Sequence, residues 1–359
     1  MLTYIVRRIL LLVPTLLGIT ILVFAVMAAA PGGIGGPLLT ERGAQLGGAN
    51  AERIREYYNK RYGLDRPYYV QYLRWLNNLS PVGFRANADG TLGSLAVKKP
   101  DLGESLTRRR PVSELLADTL PITLLLNLIS IPVVYVIGVL TGVIAARNRG
   151  KAADVAIGTS QLALWSVPTI WAGVLLIGFL SNKEYVAWFP TGALNRVEAL
   201  HMPFLPGYDA GGQFQRGYLF DRLWHLVLPV ACLSYGGFAF LSKLTRGSIL
   251  ENLNADYVRT ARAKGLNERA ILYRHVFRNS LLSLITVAAA ILPALLGGSV
   301  VVETIFGIPG MGKLSVDAVS QRDRELVLGL TFVSGLLGLT SMLIRDVLYA
   351  VADPRVTYD

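Results

Sequence analysis

Charge is what this sequence has least of. Only 16% of its 359 residues are Asp, Glu, Lys or Arg, where a soluble domain carries about a quarter. Mean hydropathy is +0.45, so lipid suits the chain better than water as its main solvent. Cysteine is nearly absent. Cys232 is the sole one, which excludes an intrachain disulfide and leaves the redox compartment unread. Histidine is scarce at three residues. With so few nucleophiles, bases and ligands, the apolar segments offer no paired nucleophile, carboxylate dyad or metal cluster. That argues against an intramembrane enzyme: no catalytic residue, metal ligand or cofactor is expected.

The gaps between charges carry the positive information. No charged side chain occurs from Ile9 to Thr40, Thr119 to Ala146, Val155 to Asn182, Leu223 to Ser242, Asn279 to Val302 or Leu326 to Ile344. Each window reaches the roughly 18–20 residues that a helix needs to cross a bilayer. One such window could be the buried helix of a large soluble protein; six of them separated by charged loops could hardly be. The expected fold is an all-α polytopic membrane protein with six transmembrane helices, since backbone polar groups in hydrocarbon must be satisfied within each segment. The first window follows Arg7 and Arg8 and ends near Ala28-Ala29-Ala30, like a signal peptide. Its apolar stretch is longer than the ~7–15 residues of a signal core, so it is read as a retained span.

Short loops rich in Lys and Arg stay in the cytoplasm. Arg7 and Arg8 place the N-terminus inside, and Arg147, Arg149 and Lys151 place the loop after the second window there too. The loop after the fourth window holds eight basic residues, from Lys243 to Arg278, against Glu251, Asp256 and Glu268. The loops after the third and fifth windows are balanced or slightly acidic. The expected address is therefore the inner (plasma) membrane, multi-pass, with both termini cytoplasmic. The segment from Pro31 to Glu114 is external yet basic, with Lys98-Lys99 and Arg108-Arg109-Arg110. Long loops cross largely regardless of charge. Within it, residues 51–79 have amphipathic stretches suited to a cap on the membrane surface, and the Arg triplet reads as solvated or facing lipid headgroups. No basic stretch is interleaved with base-stacking aromatics, so nucleic acid is not an expected partner. Four regions follow: residues 1–30, the first helix; 31–114, the external segment; 115–350, five further spans with a cytoplasmic loop at 246–278; and 351–359, the tail.

One stretch, "GIPGMGK" from Gly307 to Lys313, has the glycine and lysine spacing of a phosphate-binding loop. Such a loop needs a strand before it and Ser or Thr after the lysine. Here a membrane helix precedes it, Leu314 follows Lys313, and Pro309 removes an amide. It lies on the external side, where there is no ATP. The reading is a tight external turn.

The large cytoplasmic loop, "ENLNADYVRTARAKGLNERAILYRHVFRNSLL" from Glu251, carries more. Asn254 is placed to cap a first short helix, with Asp256 in its opening turn. Gly265 suits a left-handed stop, and Asn267 a second cap with Glu268 behind it. Small residues Ala255, Ala261 and Ala263 permit close approach, and Arg259 and Arg262 form a basic edge. This is the build of an element that docks in a groove on another protein; a basic loop held at anionic headgroups is the alternative.

"YVRTARAKGL" followed by "RHVFRN" resembles the coupling loop of ABC-transporter permeases of the dipeptide, oligopeptide and nickel branch. The likeness extends to "YIVRRILLLVPTLLGITILVF", "DLGES" (Asp101 to Ser105), "VVETIFGIPGMGKL" and "LYAVADPRV". Where the general permease signature has Glu-Ala-Ala before its glycine, this chain has Arg259, Thr260 and Ala261 before Gly265, as in the peptide branch. "DRLWHLVLPV" is similar to microcin C-type peptide permeases. The resemblance implies a type I ABC importer permease fold with an N-terminal external insertion. It implies a second homologous permease sharing the translocation path, two ATPase subunits that bind the ATP, and an extracytoplasmic solute-binding protein, all in membrane lipid. Tyr257, Val258, Arg259, Thr260, Ala261, Arg262, Ala263, Lys264, Gly265 and Leu266 would couple to the ATPase. Glu303, Phe306, Gly307, Pro309, Gly310 and Gly312 would form an external gate or receptor contact. Spans three and five and Gly297-Gly298-Ser299 are the path candidates.

A secondary transporter or channel is the main alternative. Ion-coupled carriers usually keep ionisable residues inside the membrane, and none lies in the six windows. His225, near one end of the fourth, is read as interfacial. Prolines 121, 132, 168, 229 and 293 would bend helices without specifying a coupling ion.

Overall fold

The computed structural model describes residues 2–29, 65–86, 92–105, 107–208, 211–281, 299–321 and 323–352, with a few single positions besides. The chain divides into two compact units, residues 1–118 with 315–343 and 356–359, and residues 119–314 with 344–355.

In the first unit, α1 (Leu2–Ala29) holds the described part of the first apolar window, and α2 (Tyr68–Leu79) belongs to the stretch expected to be amphipathic. Trp75 and Leu79 turn inward to join Phe24 and Leu328 in one apolar cluster. Phe24 meets Tyr72 edge-on, and the Tyr72 hydroxyl lies 3.0 Å from Thr20 Oγ1. That bond gives the polar tip of an otherwise apolar ring its partner. Two antiparallel ladders depart from the all-helical expectation: β1 (Val82–Ala86) with β2 (Leu92–Val97), and β3 (Glu104–Ser105) with β4 (Arg110–Pro111). The Asn77 side chain splints the first, donating to Phe84 O at 2.9 Å and accepting from Phe84 N at 2.8 Å. The turn of the second passes through Arg109 at φ 52°. Buried Asp323 accepts from Ser105 Oγ at 2.6 Å and from the Thr107 hydroxyl, while its other oxygen accepts from Leu326 N at 3.2 Å. One carboxylate thus anchors the "DLGES" turn and caps the helix that follows it.

The second unit is built on two long helices. α3 (Val112–Arg147) enters it from the first unit, and α6 (Gly217–Leu253) carries the fourth window. Gly138 and Gly142 of α3 lie four apart, on one helix face. A Cβ on Gly142 would sit 2.6 Å from Thr245 Cβ and 2.7 Å from Ser242 O, and one on Gly138 would sit 2.9 Å from Leu241 Cβ. The helices approach closely because those atoms are missing, the small-residue packing typical of helices in lipid.

Between them the third window is not one straight helix. α4 (Ala152–Ser166) and α5 (Thr169–Leu176), which continues as a π-helical turn Ile177–Ser181, bend by 94° at Val167-Pro168. Proline lacks the amide that would continue the ladder and pushes the residue before it into extended conformation. Val167 has ψ 119°, and its carbonyl accepts from Tyr235 Oη at 2.6 Å. The freed backbone group is satisfied by a neighbouring helix, as burial in an apolar medium requires. A third small ladder, β5 (Gly207–Tyr208) with β6 (Phe214–Gln215), precedes α6.

Among the described residues, three helices are long and apolar enough to cross a membrane, α3, α6 and the Arg324–Ile344 part of α11 (Arg324–Ala352); α4 with α5 makes a fourth if the bent pair is one span. α1 has an apolar stretch at Leu10–Val26. Most of the fifth window, with Gly297 and Gly298, lies outside the described residues, as does most of the tail.

Candidate functional site

The basic loop folds as a compact foot. α7 (Asp256–Ala263) is followed by α8 (Glu268–Ala270), which continues as a π-helical turn Ile271–Val276. Val258 and Ala261 face inward and pack with Ile271, Leu272, Val276, Ile249 and Ala146. Arg259, Thr260, Arg262, Ala263, Lys264, Gly265 and Leu266 are exposed, and Tyr257 is half-buried with its hydroxyl on Asn252 Oδ1 at 2.9 Å. The helix ends as the glycine predicts. Gly265 has φ +77°, its amide bonds Arg262 O at 2.9 Å, and Leu266 N bonds Ala261 O at 3.3 Å. This pair of bonds with a left-handed residue is the Schellman stop.

Asn267 caps the second helix, accepting from Ala270 N at 2.7 Å. Asn254 does not cap the first. The N-cap is Ala255, which has no side-chain acceptor, and Asn254 closes α6 instead, donating to Leu250 O at 3.1 Å. The two helices are clamped by Arg262, whose guanidinium donates to Glu268 Oε1 at 2.8 Å and Oε2 at 3.2 Å. That hydrogen bond, with the charge behind it, holds the Glu268 carboxyl below the usual glutamate range. Ala261, expected on the contact face, lies inside the foot; Ala263 is on the outside and Ala255 half-buried.

Deeper in the same unit is a pair that the sequence reading missed. Asp154, at the start of α4, accepts from Arg246 of α6 through Nε at 2.6 Å and Nη2 at 2.8 Å, and from Gly150 N at 3.0 Å. Gln161 Nε2 donates to Ser242 Oγ at 2.6 Å and Thr141 Oγ1 at 3.3 Å, joining α4, α6 and α3. These helices border a cavity of about 530 Å³ whose lining includes Asp154, Gln161, Trp165, Lys243 and Arg246. Span three, a path candidate, supplies one wall of it. His225, read as interfacial, is buried, with Nδ1 2.7 Å from Asp221 O and 3.5 Å from its carboxylate. The Arg triplet is not simply solvated: Arg108 pairs with Asp317 at 2.8 Å and Arg110 with Asp118 at 2.9 Å.

The Gly307–Lys313 stretch connects two helices, α9 (Val300–Ile305) and α10 (Met311–Ser320). Gly307 (φ +62°) and Pro309 are exposed, whereas Glu303, Phe306, Gly310 and Gly312 are buried. Gly192 lies against the Phe306 carbonyl, where a Cβ would come within 2.4 Å, and Ala193 N donates to that carbonyl at 2.9 Å.

Comparison with known proteins decides what these parts belong to. Residues 138–358 match the model of the binding-protein-dependent transport system inner membrane component, and residues 1–127 match that family's N-terminal model. The chain belongs to this permease family. Among its relatives, the oligopeptide transport system permease protein AppB of Bacillus subtilis (strain 168) is 39% identical over 359 residues, 100% of both chains. The di/tripeptide transport system permease protein DppB of Pseudomonas aeruginosa (strain UCBPP-PA14) is 35% identical over 363 residues, 100% of this chain and 99% of the relative. A solved structure, the MetNI methionine ABC transporter in inward-facing conformations, matches with a TM-score of 0.45 and 18% identity over 66% of this chain and 97% of the other. The permease is thus an integral inner-membrane component of a binding-protein-dependent system.

Proposed function

We propose that this permease carries peptides across the membrane as one of two homologous permeases in an ATP-driven importer. It has six spans and both termini in the cytoplasm. The foot, Tyr257 to Leu266, seats in a groove on one of two ATPase subunits, and an extracytoplasmic binding protein delivers substrate to the opposite face. The observation that carries this reading is the construction of the foot. Its inner face is packed through Val258 and Ala261, its two helices are tied by the exposed Arg262–Glu268 clamp, and Arg259, Thr260, Ala263 and Lys264 are presented outward. A rigid lever can transmit a push, which a headgroup-bound loop could not. The peptide substrate is supported by the relatives that match over their whole length, which are named as oligopeptide and di/tripeptide transport permeases.

Reconstitution into proteoliposomes tests it. ATP-dependent peptide uptake is expected only with the second permease, the ATPases and the binding protein present together. Uptake by this chain alone, driven by an ion gradient, would show a secondary transporter instead.

A further inference from the structure

We propose that the stretch resembling a phosphate-binding loop is an anion cradle whose resident anion is the chain's own Glu303 carboxylate, and that Glu303 is the positioning residue that sets this turn for transport. The transport half of the proposal rests on the function proposed above; the cradle half does not.

The side chain of Glu303 is completely buried. Its Oε1 accepts from Thr123 Oγ1 at 3.0 Å and its Oε2 from Lys313 N at 2.9 Å. Thr123 Oγ1 in turn accepts from Met311 N at 2.9 Å. Met311 and Lys313 are the first and third residues of the ten-residue α10, so amides that a helix leaves unpaired at its start converge on this carboxylate, that of Lys313 directly and that of Met311 through a hydroxyl. Oriented amides at a helix start are also what a phosphate-binding loop offers its phosphate.

The glycines serve the same end. A Cβ on Gly310 would lie 2.5 Å from the carboxyl carbon, and one on Gly312 would lie 2.9 Å from Oε2 and 2.7 Å from Val300 N. They are glycines because an anion sits where side chains would be. Lys313 contributes its backbone amide, so the lysine of the motif is used in a way that requires no lysine side chain. Burial pushes the carboxyl up from its usual range, and the amides of Lys313, Gly312 and Ser299 with the Thr123 hydroxyl oppose that. A carboxylate buried only to fill space would be a poor choice, since removing a charge from water is costly unless donors replace the water. Here the donors are in place, and the loop closes over them through Ile308 N to Glu303 O at 2.8 Å.

The test is chemical rescue of Glu303→Ala in the purified, detergent-solubilised chain, followed by thermal unfolding at constant ionic strength. The expected result is a lowered midpoint that acetate restores saturably and the neutral isostere acetamide does not, with the wild-type chain responding to neither. Glu303→Gln should also unfold earlier, because an amide nitrogen presents a donor where donors already point. In the reconstituted complex, acetate should recover part of the peptide uptake that Glu303→Ala loses. Equal effects of acetate and acetamide, or a wild-type midpoint for Glu303→Gln, would overturn the cradle. Uptake at the wild-type rate in Glu303→Ala would overturn the positioning role, whereas failure of the wild-type complex to transport would strike the proposed function alone. If Glu303→Ala does not insert, Thr123→Val against Thr123→Ser gives the same decision: the valine is expected to destabilise and the serine to behave as wild type.

Discussion

Gly265 and Gly142 are both glycines that should not be replaced, for opposite reasons. Gly265 has open space around a would-be Cβ but sits at φ +77°, where L-residues other than Asn and Asp lose about 1–2 kcal/mol. Gly265→Asn is therefore expected to keep coupling, and Gly265→Val to lose ATPase stimulation in the reconstituted complex while inserting normally. At Gly142 the limit is space, with Thr245 Cβ 2.6 Å from the new methyl. Gly142→Ala should cost about 1–3 kcal/mol, the usual range for overpacking, seen as a lower unfolding temperature. Gly158→Ala, with nothing within 4 Å, is the neutral control. The Arg262–Glu268 clamp adds a pH dependence. Since the folded carboxyl titrates below its unfolded value, the clamp's support is complete above the ordinary glutamate range and fades as pH falls through the folded value. Both side chains are largely exposed, so salt should weaken it as acid does. Protease cleavage of the foot, followed against pH and salt in wild type and Glu268→Gln, measures this; a profile identical in the two would remove the clamp from the account.

The foot shows what a helix reveals of itself in sequence. Its stop at Gly265 and the Asn267 cap were legible because both depend on residues within a few positions. The direction Ala261 faces was not, because that is set by Ile271, Val276 and Ile249 packing beside it. Asn254 misled for a similar reason: an Asn between two helices can serve the end of one or the start of the other. Ala261→Arg is accordingly expected to unfold the foot, giving protease cleavage between α6 and α8. Ala263→Arg should leave it folded and abolish ATPase binding in a pull-down. Equal protease resistance of the two variants would contradict the inward placement. The Val167-Pro168 bend was legible as a proline, but the 94° angle and the Tyr235 hydroxyl that satisfies it were not. Thr123 and Glu303 lie 180 residues apart, and no local pattern joins them.

For the whole molecule, uncharged windows gave the membrane class directly, since a charge in hydrocarbon is costly enough to leave its mark as an absence. They did not give the β3–β4 ladder at residues 104–111, whose two-residue strands are too brief for a periodic signal. Orientation rests on loop charge and is open to measurement. A cysteine placed at Leu266 should react with an impermeant thiol reagent only when the cytoplasmic side is exposed, and one at Pro309 only from outside. Reversed accessibility would invert the proposed topology. The chain is unusually convenient for that work. Its single thiol, Cys232, is 2% exposed and turned toward the Thr169 carbonyl, so the native protein should be nearly silent to such reagents. Any dye, spin label or cross-linker attached to an engineered site would then report from one known address, without first stripping the background.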